Sequence, residues 1–168
     1  MLKGYIAEMY DFNCWGRDRI LDAVAAISPS QFVEATRFPH QTIRRTLVHV
    51  LSAEYTYRIR CQLQPKAWLE EDQFPDLKSI RDYWLNEEQE MRKYLTQVVD
   101  ADLPELVHYQ TSSGDKYERT RLVIFTQLFF HGMQHRSELA QMLTEFGHSP
   151  GDIDYTVYRD SVSSAKVK

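Results

Sequence analysis

Two histidines one helical turn apart are the feature of this sequence that points most directly to chemistry. They lie in the segment His131-Gly-Met-Gln-His135, and this spacing in a helix lets two imidazole nitrogens approach one cation. At about 100° per residue both histidines fall on the apolar face of a predicted helix, so we expect both rings to point inward. That face also carries Ile124, Leu128, Leu139, Met142 and Phe146. The pattern predicts either a metal site or a pair of packed histidines bonded to tyrosines or carboxylates of neighbouring helices.

A metal site needs a further ligand, because a catalytic zinc usually has three protein ligands. The remaining histidines of the chain are His40, His49, His108 and His148. His49 is the best placed of them, since it lies in the middle of a predicted helix at the margin of its apolar face. It could equally be a surface or interfacial histidine. Periodicity by itself leaves both interpretations of His49 open.

The residues around the histidine pair argue against two known kinds of metal site. Metalloproteases with an H-E-x-x-H motif use the glutamate after the first histidine as general base, and Gly132 occupies that position here. A di-iron bundle needs several inward carboxylates, whereas Glu54 is the only comparable carboxylate on the second predicted helix. Glu138 could orient a ligand or shuttle a proton, or could form an ordinary ion pair. We take Glu138 as the candidate supporting residue and identify no catalytic residue.

Composition limits the class of function. The chain has 168 residues with 20 Lys and Arg against 24 Asp and Glu, which gives no general basic field for nucleic acids. The apolar runs are too short for a membrane span, and the N-terminus lacks the apolar core of a secretory signal. Cys14 and Cys61 lie far apart without CxxC spacing, so we expect reduced thiols. We expect a cytoplasmic protein that binds neither nucleic acid nor membranes.

Prolines and apolar periodicity divide the chain into elements that would position these side chains. Apolar residues at three- and four-residue steps predict helices over residues 5–27, 42–63, 77–103 and 120–146. A Ser-Gly-Asp turn signal at 113–115, flanked by β-favouring residues, predicts a small hairpin between the third and fourth helices. The predicted fold is all-α, an up-and-down four-helix bundle with this hairpin-like insert. We expect one domain over residues 1–160 and a polar tail, 161–168, that frays.

Several segments, extending over nearly the whole chain, carry a family pattern. They are YDFNCWGRDRIL, LVHVLSAEYTYRIR, HGMQHRSELAQMLTEFG and PGDIDYTVYRD, and the most specific element is H-x-x-x-H-R-x-E/Q-L ending in glycine. The sequence therefore resembles the DinB/YfiT-like superfamily of metal-binding four-helix-bundle proteins. The resemblance implies one divalent ion, Ni²⁺ or Zn²⁺, held by three histidines that correspond to His49, His131 and His135. It also implies a homodimer, and related members are thiol-dependent transferases or isomerases.

The charge of such a site indicates its chemistry. Three neutral imidazoles leave the charge of a divalent ion uncompensated, so the site favours an anionic ligand such as hydroxide or thiolate. Zinc lowers the pKa of a bound water to about 7, and a coordinated thiol loses its proton outright. The sequence therefore predicts a metal-dependent enzyme that activates a thiolate or water nucleophile, a thiol S-transferase or hydrolase with a small-molecule thiol or electrophile as substrate. The alternative is a non-catalytic metal-binding stress or interaction module.

Overall fold

The structure, a computed structural model, describes residues 1–65, 68–111 and 113–163. The helices are α1 (Leu2–Val24), α2 (Pro29–Val33), α3 (Ile43–Cys61), α4 (Leu77–Gln97), α5 (Arg121–Glu145) and α6 (Tyr155–Val162). An antiparallel hairpin of β1 (Leu106–Gln110) and β2 (Lys116–Thr120) precedes α5, and short 3-10 helices occupy Glu71–Gln73 and Asp100–Asp102. The expected all-α class and the small hairpin are therefore confirmed. No helix in the described ranges combines the length and apolar content that crossing a membrane requires.

The last helix, α6, packs against α1. It ends at Val162, two residues into the polar tail 161–168, whose fraying stays a prediction. Tyr158 of α6 is buried against Phe12 and Trp15 of α1, with ring centres 5.6 and 5.7 Å apart. This aromatic contact holds α6 on α1. Residues 164–168 lie outside the described residues.

Hydrogen bonds between the long helices show their relative directions. Those between α3 and α4 join Glu54 to Trp84, Arg58 to Glu87 and Cys61 to Tyr94. The residue numbers of the bonded partners increase together in the two helices, so α3 and α4 run parallel. Those between α1 and α4 join Asp11 to Arg92 and Arg17 to Glu88, and those between α3 and α5 join His49 to His131 and Cys61 to Arg121. In these two pairs of helices the residue number of one partner increases as that of the other decreases, so the helices run antiparallel.

The resulting order differs from the alternating up-and-down order that the sequence predicts. Helices α1 and α5 point one way, and α3 and α4 point the other. The connection between α3 and α4, residues 62–76, makes this order possible. About 15 extended residues span up to about 50 Å, which exceeds the roughly 30 Å length of a 20-residue helix. The chain can therefore return along the full length of α3 before α4 begins.

The described part of the chain has two apolar clusters with a polar layer between them. One cluster includes Ile20, Leu47, Ile80 and Leu139, and the other includes Tyr10, Cys61, Met91 and Phe125. At intermediate positions the long helices bury Asn13, Arg17, Glu54, Arg58, Glu87, His135 and Arg136. A buried polar group costs free energy unless it is hydrogen-bonded. Within this layer Arg58 pairs with Glu87. Asn13 bonds both Glu54 and Arg136, and these contacts between helices restrict how the helices can be aligned.

Gly132 provides the space for one of these polar contacts. The Arg136 guanidinium of α5 donates a hydrogen bond to Asn13 Oδ1 of α1. A Cβ atom at Gly132 would lie 2.6 Å from Asn13 Oδ1 and 2.8 Å from Arg136 Nη1. Both distances are too short for non-bonded atoms. The residue that replaces the glutamate of an H-E-x-x-H motif is therefore a glycine because α5 packs closely against α1.

We predict that Gly132→Ala lowers the free energy of unfolding by about 1–3 kcal/mol, since the added methyl group displaces a buried hydrogen-bonded pair. Thermal and urea unfolding followed by circular dichroism would measure the change. Gly4→Ala is the matched control, because a Cβ at Gly4 of α1 meets nothing within 4 Å. In a helix this control substitution stabilises by up to about 1 kcal/mol. Equal stability of the Gly132→Ala variant and the wild-type protein would contradict the packing argument.

Candidate metal centre

The antiparallel pair α3 and α5 brings His49 against His131. Each helix begins at a threonine whose side chain accepts a hydrogen bond from a backbone N–H three residues on, Thr42 for α3 and Thr120 for α5. His49 Nε2 lies 3.0 Å from His131 Nε2. At this distance one nitrogen donates a hydrogen bond to the other, or both direct their lone pairs to one cation.

His135 adds a buried imidazole one turn after His131. Its ring centre lies 4.5 Å from that of His131 and 4.7 Å from that of His49. His135 Nδ1 lies 2.7 Å from Oε2 of Glu138. In a neutral imidazole Nδ1–H donates to this carboxylate, so Nε2 keeps the lone pair that a metal binds. Glu138 thus holds one nitrogen of His135 and leaves the other available.

His40, which helical periodicity does not select, joins these rings from the turn before α3. The N–H of Gln41 donates to the carbonyl of Phe38 at 2.8 Å and closes this turn, with Gln41 at a φ of 66°. The His40 ring stacks on that of His49 with ring centres 3.9 Å apart. One ligand nitrogen from each of His40, His49 and His135 lies within 4.8 Å of the other two. A turn residue has no helical periodicity, so apolar spacing could not identify His40. The one signal in the sequence is that His40 lies two residues before Thr42, the N-cap of α3.

The other histidines of the chain lie elsewhere. His108 of β1 is exposed, and its Nδ1 lies 3.2 Å from the Glu118 carboxylate across the hairpin. His148 follows α5, and its backbone N–H donates to the backbone carbonyl of Leu143 at 2.8 Å, which caps the end of that helix. Within the described residues, neither belongs to the group of histidines that we call the histidine cluster, His40, His49, His131 and His135.

Burial and mutual proximity favour neutral imidazoles in the histidine cluster. Desolvation, with a smaller contribution from the neighbouring imidazoles, lowers the pKa of His49 to about 4 and that of His131 to about 3. Desolvation and the proximity of His135 also lower the pKa of His40, against the opposing effect of Glu138. These three imidazoles are therefore neutral at pH 7. A neutral imidazole has a free lone pair, which metal binding requires.

A cleft of about 370 Å³ opens beside His49 and His131. Side chains of α3, including Thr56, Tyr57 and Arg60, line the cleft, and so do Trp68 and Thr111, the residue after β1. The Tyr57 ring meets His131 edge to face, with ring centres 6.0 Å apart. The volume lies in the range of small-molecule sites. A small molecule therefore has access to the histidines from this cleft.

The buried carboxylate of α3 and the two thiols have other surroundings. Glu54 accepts hydrogen bonds from Tyr10 at 2.8 Å and from Trp84 at 3.1 Å within the polar layer. Burial raises the pKa of Cys14, and it raises the pKa of Cys61 to about 12. Both thiols are thus protonated at neutral pH, and neither has the environment of an activated nucleophile.

No curated protein gives a match to the sequence. The model of one protein family, described as the DinB family, matches residues 1–165. The matched range contains the histidine cluster, Glu138 and the residues that line the cleft. The resemblance seen in the sequence is therefore confirmed, and the chain belongs to the DinB family.

Proposed function

We propose that His49, His131 and His135 bind one divalent metal ion, Ni²⁺ or Zn²⁺. The 3.0 Å separation of His49 Nε2 and His131 Nε2 carries this proposal. Nitrogens bound at about 2.1 Å to one ion lie roughly 3 to 4 Å apart, so this pair already has the spacing of ligands to a common ion. Imidazole nitrogens suit both nickel and zinc. Glu138 supports the set by holding His135 Nδ1, an arrangement usual for metal-binding histidines.

We assign His40 to the surroundings of the ion rather than to its ligands. Its ring lies nearly parallel to that of His49, with an interplanar angle of 24° at 3.9 Å. Imidazole lone pairs lie in the plane of the ring, so two stacked rings direct them along separate planes. Such an arrangement is unfavourable for a shared ion. A rotation of the His40 side chain would remove this difficulty, so the ligand set has to be tested by substitution.

The function supported best is a metal-dependent enzyme, either a thiol S-transferase or a hydrolase. When bound, the ion would lower the pKa of a coordinated thiol or water and supply a nucleophile at neutral pH. The neutral imidazoles contribute no negative charge, so an anionic nucleophile is favoured at the site. The cleft beside His49 and His131 admits a small electrophile.

A non-catalytic metal-binding module is the second candidate. The histidine cluster is drawn from the turn before α3, from α3 and from α5. An ion held there would add a link between α3 and α5, and so would stabilise the fold. The open cleft beside the histidines favours the enzyme, because an ion that serves only to stabilise the fold needs no access for a substrate.

We predict that the purified protein binds about one equivalent of Ni²⁺ or Zn²⁺ per chain. Single alanine substitutions of His49, His131 or His135 should reduce bound metal to less than about a tenth of this, since each removes a ligand. His40→Ala should retain most of the metal. Elemental analysis after dialysis measures each value. Retention by His131→Ala together with loss by His40→Ala would replace His131 with His40 in the ligand set.

Turnover distinguishes the enzyme from the structural module. We expect metal-loaded protein to accelerate either the reaction of a low-molecular-weight thiol with an aryl halide or the hydrolysis of an activated ester. His135→Ala should abolish this rate without loss of the helical circular dichroism signal. If metal removal lowers the melting temperature but neither reaction is accelerated, the structural module is supported instead.

The lowered histidine pKa values also predict how the stability of the metal-free protein depends on pH. An unfolded histidine has a pKa of about 6.5, whereas folding lowers that of His49 to about 4 and that of His131 to about 3. Between these values the unfolded chain binds more protons than the folded chain. The free energy of unfolding should therefore decrease as the pH falls from about 6.5 towards 3, and these groups should cause no further decrease below that range.

The matched test compares His131→Gln with His108→Gln in urea unfolding of the metal-free protein between pH 7 and pH 4. His131→Gln should have a smaller dependence of unfolding free energy on pH than the wild-type protein, because it removes one of the perturbed groups. His108 is exposed on the hairpin and lies outside the histidine cluster, so its substitution should leave the dependence unchanged. An unchanged dependence in His131→Gln would show that this imidazole is not desolvated in the folded protein.

A further inference from the structure

Arg60 lies in the same cleft as His49, farther along α3. The two residues are about three helical turns apart and therefore lie on nearly the same face of α3. Both line the cleft of about 370 Å³, with Thr56 between them along that face. The cleft thus has imidazoles towards one end and a guanidinium group towards the other.

Aromatic rings surround the Arg60 guanidinium. Its central carbon lies 4.2 Å from the ring centre of Tyr109, 5.8 Å from that of Trp68 and 5.9 Å from that of Tyr57. These rings come from β1, the segment after α3 and α3 itself, so separate parts of the chain converge on this one cation. Aromatic faces stabilise a cation through their quadrupole. They do not supply the in-plane acceptors that the guanidinium N–H groups require.

Among the described residues the charge of Arg60 is not matched by an acidic group. Across residues 1–65, 68–111 and 113–163, no carboxylate forms an ion pair with it. Arg58, two residues earlier, makes two hydrogen bonds of 2.6 and 2.7 Å to the Glu87 carboxylate. Desolvation lowers the pKa of Arg60, although an arginine stays protonated at neutral pH. A half-buried, unpaired cation facing a cleft favours a ligand that brings the negative charge.

We propose that Arg60 binds the oxyanion group, a carboxylate or a phosphate, of a small organic molecule in this cleft. A planar guanidinium matches either group through two parallel N–H···O bonds. The rings of Tyr57 and Trp68, which line the cleft, would cover the apolar part of the molecule, and the remainder would extend along α3 towards His49 and His131. That orientation rests on the proposed metal-dependent function, whereas the oxyanion subsite does not. The substrate class is thus a small organic anion.

The experiment measures binding of phenylacetate and phenyl phosphate to the metal-free and zinc-loaded protein by isothermal titration calorimetry. Phenylacetamide is the neutral counterpart of phenylacetate and should bind at least about tenfold more weakly. Arg60→Met should weaken binding of either anion by at least about tenfold while leaving the circular dichroism spectrum and zinc content unchanged. Arg119→Met is the matched control, because Arg119 also lies over a tyrosine ring, that of Tyr117, but outside the cleft.

Several outcomes would overturn the oxyanion subsite. These are equal binding to Arg60→Met and the wild-type protein, equal binding of phenylacetate and phenylacetamide, or no binding of either anion up to about 10 mM. If the anions bind only to zinc-loaded protein, and binding is lost in His49→Ala but kept in Arg60→Met, the anion is a metal ligand. That result would contradict the proposed oxyanion subsite at Arg60 and would still agree with the proposed metal site. If Arg60→Met does not fold, Arg60→Lys replaces it and should bind more weakly than wild type, because lysine lacks the planar pair of donors.

Discussion

The short contact between His49 and His131 is the constraint on which the candidate site depends. Two neutral imidazole nitrogens 3.0 Å apart repel one another unless a proton or a cation lies between their lone pairs. Burial lowers the pKa of both rings, so a second proton is disfavoured. A hydrogen bond from Nε2–H of one ring to Nε2 of the other meets this requirement, and in the proposed metal site a divalent ion would take both lone pairs instead. The antiparallel packing of α3 and α5 therefore places two imidazole nitrogens where either a hydrogen bond or a shared cation can join them.

The same turn of α5 also takes part in the polar layer that aligns the helices. His135 belongs to the histidine cluster, while Arg136 reaches Asn13 of α1 on another side of the helix. Gly132 allows that approach, because any Cβ there would collide with both partners. A change that moves α5 relative to α1 would thus also move the histidines relative to His49. The stability of the polar layer and the geometry of the histidine cluster are coupled through this one turn.

Helices and connections have different parts in the site. His49, His131 and His135 lie on α3 and α5, whose backbones are held by their own hydrogen bonds and by the apolar clusters. The cleft is also lined by Trp68, in the segment after α3, and by Thr111, just after β1, and both lie in connections between helices. The long return from α3 to the parallel α4 carries Trp68 to the cleft and to Arg60. Rigid helices suit metal binding, where distances matter most, and connections suit substrate recognition, where change is better tolerated.

Local sequence features determined the long helices, the hairpin and the inward pair His131 and His135, because apolar periodicity and turn chemistry act over a few residues. For His49 periodicity left the role open, and only the resemblance to a family pointed to a ligand. Tertiary structure decided what depends on packing between distant segments. The parallel order of α3 and α4 follows from contacts between helices, not from the pattern of either one. His40 reaches the cluster through a turn, and Arg60 acquires its aromatic surroundings from β1 and the segment after α3, neither of which leaves a periodic signal. Periodicity identifies the buried face of a helix, whereas the partner of that face is fixed only when the whole chain has folded.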